Sequence, residues 1–108
     1  MRFKDNVRLS QFKHLNHVID AVDDSYMVVY GHEALMTSAN DSKHSIGSKH
    51  YTGEAWDFRI WVDFNDPSKG YLSGLDLSNL VNYIMLRVGI NFDVISKIDH
   101  IHVEYDPK

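Results

Sequence analysis

The run Ala55-Trp56-Asp57-Phe58-Arg59-Ile60-Trp61-Val62-Asp63-Phe64 decides the fold class. Trp56, Phe58, Ile60 and Val62 fall on one face of an extended chain, and Asp57, Arg59 and Trp61 on the other. A period of two with one apolar face is the pattern of a half-buried strand. The turn formers Asn65-Asp66-Pro67-Ser68-Lys69-Gly70 close it. Upstream, Leu15, Val18, Ile19, Val22, Tyr26 and Val29 recur every three or four positions, which predicts an amphipathic helix over about 11–30 with Gly31 as its C-cap. Ala34-Leu35-Met36-Thr37 reads as a short strand running into the loop formers that begin at Ser38. Downstream, Leu77, Leu80, Val81, Ile84 and Val88 predict a second helix, with Asp76 as N-cap and Gly89 after it. Phe92–Ile95 and His100–Tyr105 read as two strands joined by the tight connection Ser96-Lys97-Ile98-Asp99. The expected class is α+β, a small antiparallel sheet flanked by two main helices.

A chain of 108 residues forms one domain, because halves of it would be too small to bury stable cores. No repeat or Pro/Gly-rich linker divides residues 1–108, and the two prolines are Pro67 and Pro107. Apolar residues at 44% and charged residues at 24% match globular composition and argue against disorder. The net charge of −4, without a basic block, argues against nucleic acid as partner. No apolar run reaches membrane-spanning length, so no membrane partner is expected. Met1-Arg2-Phe3-Lys4-Asp5-Asn6 lacks the apolar core of a signal peptide, so synthesis in a cytoplasm is expected, and a target outside the cell would require separate delivery. Without cysteine, any transition metal must be held by imidazole and carboxylate, and seven histidines make that feasible.

Two segments carry the metal-binding chemistry. In Ser48-Lys49-His50-Tyr51-Thr52-Gly53-Glu54-Ala55-Trp56-Asp57 a histidine and a carboxylate stand seven positions apart. Seven extended residues would span roughly 23–25 Å, so both reach one ion only if the chain reverses, and Gly53 sits where the reversal is needed. An open catalytic zinc site takes three protein ligands and a water. A further ligand can come from His100-Ile101-His102, whose imidazoles share one strand face while Ile101 points to the core. Glu104 continues the imidazole face and can fix the orientation of a neighbouring histidine. Asp99 faces the other way in an ideal strand unless it lies in the preceding turn or a bulge. His14, His17 and His32 lack ligand-like spacing and read as surface or half-buried histidines, and Trp56 and Trp61 as core or cleft-wall aromatics.

His44-Ser45-Ile46-Gly47 followed by Ser48 to Asp57 resembles the S-x-H-x-x-G-x-A-x-D signature of the D-alanyl-D-alanine carboxypeptidase and L-alanyl-D-glutamate endopeptidase family, which includes phage endolysins. Asp99-His100-Ile101-His102-Val103-Glu104 is similar to its carboxy-terminal ligand motif, and the hedgehog amino-terminal domain shares the pattern. The likeness runs from about Leu15 to Pro107. It implies one zinc ion per chain ligated by His50, Asp57 and His102. It implies a catalytic base at Asp99 on the endolysin pattern, or at His100 on the lysostaphin pattern. His44, Ser48 and Glu104 would then support the ligands or meet substrate. Where many members carry a substrate-orienting arginine, the loop from Ser38 to Ser45 offers Lys43 and His44.

The resemblance implies a zinc peptidase that cleaves a peptidoglycan stem peptide or another short D-amino-acid peptide with a metal-activated water. It would act on the wall after lysis or from a phage particle. The alternative from another class is a zinc-stabilised, non-catalytic binding or virion-associated domain with the same site.

Overall fold

The chain runs β1 (Arg2–Phe3), α1 (Leu15–Tyr30), β2 (Leu35–Ser38), β3 (Ala55–Arg59), a 3-10 turn (Pro67–Lys69), α2 (Gly74–Val88), β4 (Phe92–Ser96) and β5 (His100–Tyr105). The computed structural model describes residues 1–9, 12–39 and 54–107. His44, Ser48, His50 and the reversal expected at Gly53 lie outside the described residues. Over the described residues the molecule is a small α+β domain with two helices and one five-stranded sheet in the order β1-β2-β3-β5-β4.

The sheet is mixed, which corrects the expectation of an antiparallel one. β1 pairs parallel with β2, Arg2 opposite Leu35 and Phe3 opposite Met36, while the other three pairings are antiparallel. The helix α1 supplies the crossover that a parallel pair needs. Two residues of β1 are too few to show a period in the sequence. The strand expected over Ala55–Phe64 is also shorter, ending at Arg59. Beyond it the chain turns to a new partner: Leu72 N–H donates to Ile60 O at 2.7 Å and Val62 N–H to Gly70 O at 2.9 Å. Trp61 keeps a single bridge to Tyr71, and Val62, expected on the buried face, is 46% exposed.

Helix α1 ends as its sequence predicts. Gly31 takes φ 78° and its N–H donates to Met27 O, closing the last turn in a conformation that a Cβ would strain. Helix α2 begins at Gly74, two residues ahead of Asp76, so Asp76 lies in the first turn, where its carboxylate complements the helix dipole, and Ser73 takes the cap position instead.

Both helices cover one face of the sheet. Val18, Val22 and Tyr26 from α1 and Leu80, Ile84 and Val88 from α2 join Met36, Trp56, Phe58, Ile101 and Val103 in one core. Each fully buried side chain of this size contributes about 1.5–3 kcal/mol over its exposed state. Polar links fix α1 against the strands. Asp23 accepts from Ala34 N–H at 2.9 Å, and the buried Tyr26 hydroxyl donates to Arg59 O at 2.6 Å. Alternation leaves Asp57, Arg59, His100, His102 and Glu104 on the face turned away from α1 and α2. Among the described residues no helix is long and apolar enough to cross a membrane.

Candidate functional site

The register of two strands assembles the site. β3 and β5 pair antiparallel with Asp57 opposite His102, Arg59 opposite His100 and Ala55 opposite Glu104. Directly opposed side chains stand close enough to interact. The Asp57 carboxylate, from the first motif, meets His102, from the second: Asp57 Oδ1 lies 2.8 Å from His102 Nδ1. Glu104, two residues on along the same strand face, places Oε1 2.9 Å from His102 Nε2. The imidazole is thus held at both nitrogens by carboxylates. The side chains of His102 and Asp57 are 16% and 14% exposed, so little bulk water screens the pair.

The His102 pKa is raised above the ordinary histidine value. The hydrogen bond to Asp57 is the largest cause; burial opposes it, and the Asp57 charge and Glu104 add to it. Without a metal, His102 therefore holds its second proton to higher pH than a solvated histidine.

Asp99 lies in the turn just before β5 and not on the opposite strand face, and its Oδ1 is 2.6 Å from His100 Nδ1. An ionised carboxylate only accepts, so Nδ1 carries the proton and Nε2 is the acceptor in the neutral ring. That nitrogen is 3.7 Å from Asp57 Oδ1, the oxygen that also meets His102. Asp99 and His100, which the sequence offers as competing bases, are one hydrogen-bonded pair beside Asp57 and His102.

The donor set suits zinc in its chemistry. Asp57 Oδ1 and His102 Nδ1 are a hard oxygen and an imidazole nitrogen, and Glu104 behind the far nitrogen is the carboxylate–histidine arrangement that orients a metal-binding imidazole. Two donors about 2.0–2.2 Å from a tetrahedral ion stand roughly 3.3 Å apart. The pair at 2.8 Å would need to separate by about 0.5 Å. Among the described residues no three His, Asp or Glu side chains form a complete ligand group. Asp57 and His102 supply two of the three proposed ligands, and the third, His50, lies outside the described residues. His44 and Ser48 fall outside them as well.

A cleft of about 310 Å³ opens beside this group, lined by Asp57, Asp99 and His100 together with Lys4, Thr37, Ser38, Arg59 and Tyr71. Lys4 and Arg59 add positive charge at the wall, and neither is singled out by the motifs. Arg59 had a signal in the sequence, because alternation places it on the face of Asp57. Lys4 had none, since it reaches the cleft through the parallel pairing of β1. The remaining histidines sit as expected: His17 contacts Val88 O at 2.9 Å, and His14 packs among Phe12, Phe92 and Tyr105. Trp56 is core, and Trp61 stacks under Arg59, with Cζ 4.2 Å from the ring centroid. Comparison of the chain with family models, curated proteins and solved structures finds no match.

Proposed function

We propose that the chain is a zinc-dependent peptidase of the hedgehog and D,D-peptidase type, acting on a peptidoglycan stem peptide or a related D-amino-acid peptide. The observation that carries the reading is the meeting of Asp57 with His102 at 2.8 Å, backed by Glu104 and flanked by the Asp99–His100 pair. Two segments 45 residues apart in sequence, matched separately to one motif family, converge on one oxygen. Asp57 and His102 would hold the ion together with His50. A zinc ion there would supply Lewis-acid polarisation of a carbonyl and a water acidic enough to attack it near neutral pH.

The chain's own groups do the rest. Glu104 holds the His102 ring in place at Nε2, so that Nδ1 faces Asp57. Asp99 holds His100 with Nε2 toward Asp57, where a neutral imidazole can take a proton from the attacking water and return it to the leaving amine. The carboxylate of Asp99 steadies the imidazolium in between. Lys4 and Arg59 on the cleft wall offer charge to a substrate carboxylate. Three protein ligands, as proposed, would leave a position open for chemistry, whereas a structural zinc takes four.

The test combines metal analysis with digestion. Protein purified without added metal should carry one zinc per chain, lost in His102→Ala and in Asp57→Ala. It should release new amino termini from purified peptidoglycan, stop with a chelator and recover with zinc. A folded, zinc-loaded protein that cleaves no peptidoglycan of several types would refute the peptidase and leave the zinc-stabilised binding domain.

A further inference from the structure

A second cleft, about 600 Å³ in volume, is lined by Tyr30, His32, Phe64, Asn65, Asp63 and Lys69, with Arg2 and Val62. Its size falls in the range of small-ligand sites, roughly 300–1,000 Å³. Among the described residues, none from the two metal motifs lines it. Its walls are aromatic. Tyr30 and His32 stack with centroids 5.1 Å apart and planes at 26°, and Phe64 meets both edge-on, 5.2 Å from Tyr30 and 4.6 Å from His32.

Lys69 Nζ at the rim lies 3.2 Å from Asp63 Oδ2. An anionic ligand would have to compete there with the carboxylate already present, so a neutral one fits better. The polar groups within reach are short and planar: the exposed Asn65 amide and the Asp63 carboxylate, with the Lys69 ammonium beside it. The buried Tyr30 hydroxyl has no hydrogen-bond partner among the described residues, and burial raises its pKa, so it stays a proton donor.

We propose that this cleft binds a neutral pyranose saccharide, one sugar ring lying against the His32 and Phe64 rings with its hydroxyls paired to Asn65, Asp63 and Lys69. A pyranose combines a C–H face, which packs on aromatic rings, with a rim of hydroxyls that both donate and accept. The assignment stands apart from the peptidase reading, because free oligosaccharides carry no peptide. Trp61, which stacks under Arg59 of the first cleft, meets Phe64 of the second at 5.7 Å.

The experiment is an amide-resolved NMR titration of the full chain with chitotriose and cellotriose, with adenosine monophosphate as the anionic aromatic competitor. Saturable shifts confined to residues around His32, Phe64 and Asn65 are expected with at least one trisaccharide, and the better of the two tells whether an N-acetyl group is recognised. Phe64→Ala should weaken binding by roughly tenfold. Asn65→Ala, an exposed loop change that leaves the fold intact, should weaken it by roughly fivefold. No saturable shift with either sugar overturns the proposal, as does unchanged affinity in Asn65→Ala, or preferential binding of the nucleotide at these residues.

Discussion

Replacing Glu104 by glutamine tests the site without touching a proposed ligand. The side chain keeps its length and one oxygen but loses the charge that backs His102 Nε2 at 2.9 Å. Asp57 still faces the other nitrogen at 2.8 Å, so the positions of the two donors should survive. Removing the carboxylate behind a metal-binding histidine lowers metal affinity by roughly 10–100-fold, or about 1.4–2.7 kcal/mol. Glu104 is 23% exposed, and water can partly replace it, which puts the expectation near tenfold. Chelator competition at fixed pH measures the loss directly, and thermal melting of the metal-free proteins should differ by only a few degrees. Unchanged affinity would refute the supporting role. Loss as complete as in His102→Ala would make Glu104 itself a ligand and displace the proposed set.

Three further expectations follow from contacts already described. Asp99→Asn and His100→Ala should each retain zinc and lower turnover by roughly 10²–10⁴-fold, and the double variant should be no worse than the weaker single one, since the two groups act as a pair; additive losses in kcat would refute that. Because the folded pKa of His102 is raised, its pairing stabilises the metal-free fold fully below the ordinary value near 6.5 and is lost as pH rises through the raised value. Urea unfolding in chelator should therefore show lower stability at about pH 9 than at about pH 6. His102→Gln should shrink the difference, leaving a part due to the Met1 ammonium, whose pKa is also raised: burial works against the shift, but the hydrogen bonds to Glu33 and Asp23 outweigh it. Tyr26→Phe should destabilise by about 1–3 kcal/mol in urea titration, because it leaves the Arg59 carbonyl without its buried donor; no change would mean another group satisfies that oxygen.

The elements with strong periods were legible in the sequence. The stripe through Val18, Val22 and Tyr26, and that through Leu80, Ile84 and Val88, are the buried faces of the two helices. The alternation of Trp56 with Phe58 and of Ile101 with Val103 separates the core face from the site face. Those periods assign a face to each residue but not a neighbour. That Asp57 opposes His102, and not His100, is a matter of register between strands far apart in sequence, and only the motif resemblance joined them beforehand. Asp99 escaped the strand rule because it sits in the turn, where side-chain direction follows the local backbone. The parallel strand β1 was invisible because two residues carry no period, and Lys4 went with it. Val62 broke the alternation because Ile60 and Val62 leave the sheet to pair with Gly70 and Leu72.

In the strand order β1-β2-β3-β5-β4, Asp57 and His102 stand on β3 and β5, two of the three strands that have a neighbour on each side, with β1 and β4 as the edges. Local opening begins where backbone groups are paired on one side only, so the edges should fray and exchange their amide protons first. The amides of Asp57 and His102 should exchange only when the whole domain opens. The spacing between the two side chains is therefore inherited from the slowest-exchanging part of the chain. Fluctuations that admit or release a ligand at the margins need not disturb it.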